Sequence, residues 1–234
     1  MIAKGRTLTL LRRAGIVGIV TGVALSIADI SLLYSPAGGY ESDAMLLTIP
    51  MWRLLLGHYL GVLMLPFFLI AVWHLYEGLK PGGAWLAIPV AALLGYGLAA
   101  AGAFHGSFAV PALIAQAKSG ASPETRTVLT TLLENSHQFS EPLQAVVFLA
   151  FFAGSIWLGA AILSGRTAYP RWFVLINPMI IQGVLIASYV LTPNLVSTLL
   201  LPAAASLSFL ILFGFSTALL WNGGREPQPG GQPA

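Results

Sequence analysis

Asp29, His58 and His105 are the side chains most able to do chemistry, and each lies inside a long apolar run. An ionisable group at membrane depth is costly, so each one calls for a function or a partner. Counted from the nearest breaker residues, Asp29 sits about five residues from one end of its run. His58 sits about five residues into the next, and His105 a few residues before the end of the third. At a rise of ~1.5 Å per residue, all three fall roughly 5–8 Å below one membrane boundary. One carboxylate and two imidazoles at a common depth suit several chemistries. A zinc ion with an activated water is one, with His137 as a further ligand and Ser26 beside Asp29. Metal-free acid–base work, with Asp29 orienting a histidine, is a second. Haem held between His58 and His105 is a third. A hydrogen-bonded cluster that only fixes helix packing, and a proton-coupled transport or small-ligand site, stay open beside these. No local ligand motif such as H-E-x-x-H is present, and the chain has no cysteine.

Further polar groups lie near the same depth or above it. Gln144 is at the right height on the fourth run, and Ser188 and Tyr189 are near the end of the fifth. His137 and Glu141 are four residues apart, but Ser140 and Pro142 read as a helix start between them. His74 falls at the opposite membrane face, where with Glu77 and Trp73 it reads as an interfacial anchor. Asn177 and Gln182 read as hydrogen-bond partners between helices. Gly57 and Gly61 bracket His58, and Gly102 and Gly106 bracket His105. Gly15, Gly18 and Gly22 mark the first run. Such residues allow close helix approach or leave room for a flat cofactor.

The elements that must carry these groups follow from composition. Of 234 residues, 57% are hydrophobic and 8% charged, against about 25% charged in a soluble domain. A bilayer must therefore solvate most of the surface. The expected architecture is all-α, a polytopic bundle of six transmembrane helices within residues 1–222. The spans are expected near 14–34, 53–79, 85–108, 141–163, 172–191 and 195–221. Ser122-Pro123-Glu124 reads as a helix start, opening an amphipathic segment over 123–135 on the outer side. Residues 223–234, rich in Gly, Pro and Gln, are expected to be disordered. The first run exceeds the length of a signal-peptide core and is expected to be retained.

Loop charge sets the expected orientation. With the N-terminus inside, Lys4, Arg6, Arg12, Arg13, Lys80, Arg166, Arg171 and Arg225 are cytoplasmic, and Arg53, Lys118 and Arg126 are outside. This follows the positive-inside rule and places both termini in the cytoplasm, in a plasma (cytoplasmic) membrane. The basic residues form no stripe, which argues against a nucleic-acid partner. Membrane lipids and an amphiphilic small molecule are the expected partners.

The patterns "SIADISLLY", "WRLLLGHYLG…AVWHLYEGL" and "GAFHGSF" resemble an uncharacterised family of bacterial multi-helix membrane proteins. A fainter similarity reaches the seven-helix hydrolases of the alkaline ceramidase and adiponectin receptor type. Those group a serine, an aspartate and three histidines around zinc. That similarity implies zinc hydrolysis at Ser26, Asp29, His58 and His105, although the late H-x-x-x-H pair of those enzymes is missing here.

Overall fold

The computed structural model describes residues 2–35 and 43–222, with side chains over 7–35 and 45–222. The expected disordered tail at 223–234, the acids Glu41 and Asp43 and the basic residues Lys4, Arg6 and Arg225 therefore lie outside the described side chains. Among the described residues every regular element is helical. The helices are α1 (Ile2–Leu33), α2 (Asp43–Thr48), α3 (Met51–Met64), α4 (Phe68–Leu79), α5 (Ala84–Ser107), α6 (Ala109–Ser119), α7 (Pro123–Leu163), α8 (Pro178–Leu191), α9 (Leu195–Leu200) and α10 (Ala204–Leu220).

Five stretches are long and apolar enough to cross a membrane: Thr7–Leu33, Met51–Gly82, Ala84–Ser119, Pro123–Leu163 and Leu195–Leu220. The expected fifth crossing, 172–191, is shorter than the sequence suggests. Its first part, Arg171–Ile176, is a 3₁₀ turn, and α8 begins only at Pro178. The Asn177 side chain accepts from Met179 N–H at 3.0 Å and caps α8, while Pro178 biases the residue before it away from helix. Fourteen residues cover only ~21 Å of a hydrocarbon core about 30 Å thick.

Proline has different outcomes along the chain. At Pro66 and Pro202 the chain tightens into 3₁₀ turns, Leu65–Phe67 and Leu201–Ala203. Pro89 and Pro142 lie within unbroken helix. The expected start of a membrane helix at 141 is thus corrected. The amphipathic segment over 123–135 and the fourth span are one helix of 41 residues, about 60 Å long. Ser140 does not cap a helix there; its hydroxyl donates to the His137 carbonyl at 3.2 Å. The start at Ser122 is as expected: its Oγ accepts from Thr125 N–H at 3.4 Å.

Two apolar cores follow from this layout. The larger runs through the bundle, around Phe68, Leu94, Leu158, Phe173, Phe209 and Phe213. The smaller joins Leu32 and Leu54 to Met45, Leu46, Ile49, Ala112 and Ala115, so α2 and α6 cap one end. Gln116 fastens that cap by donating to the carbonyls of Leu46 (3.1 Å) and Ile49 (2.8 Å). Small residues set the closest crossings, since a Cβ at Gly18 would meet Ala71 at 2.7 Å and one at Gly22 would meet Leu210 at 2.8 Å. Tight small-residue seams of this kind drive helix association in membranes, where water gives no hydrophobic push.

Two arginines seal helix C-termini, where unpaired carbonyls gather partial negative charge. Arg53 donates to the carbonyls of Ser31 (2.9 Å), Ile30 (3.1 Å) and Tyr34 (2.5 Å) at the end of α1. Arg12 donates to the Trp221 carbonyl at 2.7 Å and stacks over its ring. The Arg12–Trp221 contact puts the start of α1 and the end of α10 at one end of the bundle.

Candidate functional site

Asp29 and His105 meet. The His105 Nε2–H donates to Asp29 Oδ1 at 3.1 Å, joining α1 to α5, with side-chain exposures of 16% and 13%. The carboxylate fixes the imidazole tautomer, so the lone pair resides on Nδ1. That nitrogen is buried and has no partner. The ring packs on Gly61 of α3, where an added Cβ would lie 2.3 Å from Cε1. The space that a flat cofactor would need beside Gly61 is therefore filled by His105 itself.

His58 does not join the pair. It lies on α3 with its ring edge-on to Tyr59, 5.1 Å between centroids, and its Nδ1 is buried without a partner. Neighbouring Gly57 faces Leu32 and Ala28 of α1, so the glycine stripe of α3, not His58, makes the contact. Ser26 is also apart: its hydroxyl donates to the Gly22 carbonyl of its own helix at 2.8 Å. His137 lies further along, in a neighbouring cavity. Asp29, His58, His105 and His137 do not assemble a zinc site, and among the described residues no three acidic or histidine side chains are placed to hold a metal ion. A haem bridging His58 and His105 fits no better, because Gly61 covers the His105 ring and the His58 ring stands against Tyr59.

The Asp29–His105 pair forms the polar wall of a cavity of about 150 Å³. Leu25, Leu65, Phe68 and Leu98 line its depth, and Val147 and Phe148 of α7 face Ala205 and Ser206 of α10 across it. Phe148 is 53% exposed, so this α7 wall of the cavity lies at the outer surface of the bundle. Those two helices meet below it, where Phe151 and Phe209 pack at 4.9 Å. Phe68, Phe209 and Phe213 continue this floor with centroid spacings of 5.4–6.2 Å.

A second cavity of about 120 Å³ adjoins the first and shares Phe104 and Gln144 with it. Its other polar walls are Ser107, His137, Ser140 and Glu141. The sequence places an expected helix start at Ser140, between His137 and Glu141. Because α7 continues through Pro142, the two are on one helical face at i and i+4.

Below the aromatic floor lies another polar cluster, where His74 is corrected from an interfacial anchor to a buried residue. It is 1% exposed, and its Nδ1–H donates to the Leu11 carbonyl at 2.9 Å. Glu77 pairs instead with Lys80 at 3.3 Å. The loop at 164–170 folds inward beside it: Tyr169 shares a 2.7 Å hydrogen bond with Ser216 and stacks on Phe173 at 4.5 Å. Burial pushes the Tyr169 phenol pKa up. Asn177 and Gln182 join helices as expected, to the Ser155 carbonyl (2.7 Å) and Ser208 (3.3 Å).

Neither curated proteins nor solved structures contain a match to this chain, so the similarity to membrane hydrolases finds no support there. A family model matches residues 2–222, nearly the whole chain and all its spanning helices. The chain belongs to that family, the family of unknown function DUF6796.

Proposed function

We propose that this chain is a protein of the cytoplasmic membrane that admits an amphiphilic small molecule between α7 and α10, where the Asp29–His105 pair exchanges a proton with the polar end. The supporting observation is the hydrogen-bonded pair set in the wall of a mostly apolar cavity. Apolar walls with a few convergent polar groups are the usual geometry of a small-molecule site. A carboxylate hydrogen-bonded to a histidine holds a proton between them that the pair can share with a polar group beside Asp29. Transport through the bundle is the weaker reading, since a path from this cavity to His74 would have to pass the Phe68–Phe209–Phe213 floor. The site lies toward the outer leaflet if both termini are cytoplasmic. The shared end of Arg12 and Trp221 and the loop charges support that orientation.

The test uses the full chain purified in mild detergent and exposed to a membrane lipid extract, with mass spectrometry of what it retains. The wild type is expected to retain an amphiphile that Ala101→Phe, which fills the cavity, does not. His105→Ala and Asp29→Asn, which leave the cavity open, are expected to keep retention. Equal retention by wild type and Ala101→Phe would refute the proposal.

A further inference from the structure

We infer that the two adjoining cavities form one site, selective for a long-chain amine over anionic or neutral amphiphiles of equal length. This deepens the function proposed above and rests on it. The argument begins with continuity: Phe104 and Gln144 belong to the walls of both chambers. The chambers differ in character. One is walled by Ser107, His137, Ser140 and Glu141, and the other is mostly hydrocarbon and aromatic. A molecule spanning both has its head in the first and its chain in the second.

Charge then selects the head. Two carboxylates, Glu141 and Asp29, face the combined space, and no lysine or arginine lines either chamber. Glu141 has no ion-pair partner among the described residues. A phosphate or carboxylate head would enter a site without a fixed cation and would meet two acids. Glu141 is exposed and Asp29 half-buried, so this attraction and repulsion act at the head end and are screened in part by solvent. An ammonium instead finds its counter-ion in Glu141 and acceptors in Gln144 and the serine hydroxyls. The nitrogen then lies where the chambers join at Gln144, with the Asp29–His105 pair in the adjoining wall to exchange its proton. Together the chambers hold about 270 Å³ (120 plus 150), just under the ~300–1,000 Å³ of a drug-sized site, which fits a single slim chain.

The test compares decylamine, decanol and decanoate on the full chain in phosphatidylcholine nanodiscs. Specific binding is defined as the part lost in both Ala101→Phe and Ala205→Phe, plugs on different helices. Decylamine is expected to bind at least about tenfold more tightly than decanol, with decanoate weakest. Glu141→Gln is expected to bring decylamine within about threefold of decanol. Decanol or decanoate binding as tightly as decylamine would overturn the amine assignment while leaving the amphiphile site standing. So would a preference untouched by Glu141→Gln. If none of the three shows plug-sensitive binding, both readings fall.

Discussion

Gly61→Ala tests the packing that holds the site together. An added Cβ would lie 2.3 Å from His105 Cε1 and 2.6 Å from Nε2. Ordinary contact begins near 3.4 Å, so the ring must withdraw by about 1.1 Å (3.4 minus 2.3). The 3.1 Å bond to Asp29 has only about 0.5 Å of slack before it ceases to be a hydrogen bond. The substitution therefore costs overpacking of about 1–3 kcal/mol. It also costs the net worth of a bond to a charged group, about 1.5–3 kcal/mol. The gain in helix propensity from Gly to Ala, about 1 kcal/mol, offsets part of this. A net loss of about 1.5–5 kcal/mol is expected. In a His105→Ala background the ring is gone and the same substitution is expected to be neutral or slightly stabilising. The assay is reversible unfolding in mixed micelles, read as a double-mutant cycle in which the propensity gain cancels and the coupling is about 2.5–6 kcal/mol. Equal effects of Gly61→Ala with and without His105 would refute the reasoning, because the imidazole would then not rest on Gly61.

Arg53→Lys is expected to lower stability by about 1–2 kcal/mol in thermal unfolding, because an ammonium keeps the charge but not the planar fork that reaches the three carbonyls ending α1. Spin labels at Thr127 and Ile156 are expected about 43 Å apart by dipolar spectroscopy if α7 is straight. A right-angle bend at Ser140, as an interfacial segment would need, gives about 31 Å. Tyr169 is fully buried, with its phenol pKa raised. Its contribution is complete below the unfolded phenol pKa near 10 and is lost as pH rises from there toward the folded value. Tyr169→Phe is expected to flatten this alkaline loss in a pH series of melting curves. It also removes the Ser216 bond at a cost of about 1 kcal/mol. Ala205→Leu is expected to raise stability in detergent by about 1 kcal/mol through added apolar burial while reducing amphiphile retention.

Depth was legible in the sequence and azimuth was not. Distance along a helix accumulates at a fixed rise, so Asp29, His105 and Gln144 were placed at one level from breaker positions alone. Which face meets a neighbour depends on packing. His58 shares their level, but the contact belongs to Gly57 and Gly61 beside it. Proline was the other source of error. Pro66, Pro142 and Pro202 are the same residue with different outcomes, because the neighbourhood decides whether a freed carbonyl is tolerated in a helix. Reading Pro142 as a start hid the 41-residue α7 and with it the alignment of His137 and Glu141. His74 was assigned to the correct half of the bundle. Its burial depends on the 164–170 loop folding inward, for which Tyr169 before Pro170 was the one available cue.

The cavity owes its existence to small residues at positions where large ones would fit a plain helix bundle. Ala101 on α5 and Ala205 and Ser206 on α10 line it, and a Cβ at neighbouring Gly102 would meet nothing within 4 Å. Nearer the other end of the same helices, closely packed side chains fill the interface, with Leu94, Leu158, Leu212 and Phe213 all fully buried. A sealed apolar void of about 150 Å³ would cost roughly 3–4 kcal/mol at the rate found for emptied protein cores. One bulky side chain from α5 or α10 would remove much of that cost. The bundle instead leaves the space open beside its paired Asp29 and His105 and closes it below with Phe151 and Phe209. A space lined by small residues and floored by aromatics is costly as packing and economical as a receptacle. The Asp29–His105 bond could join α1 to α5 without it, so a purely structural role for the pair accounts for the bond but not for the cavity.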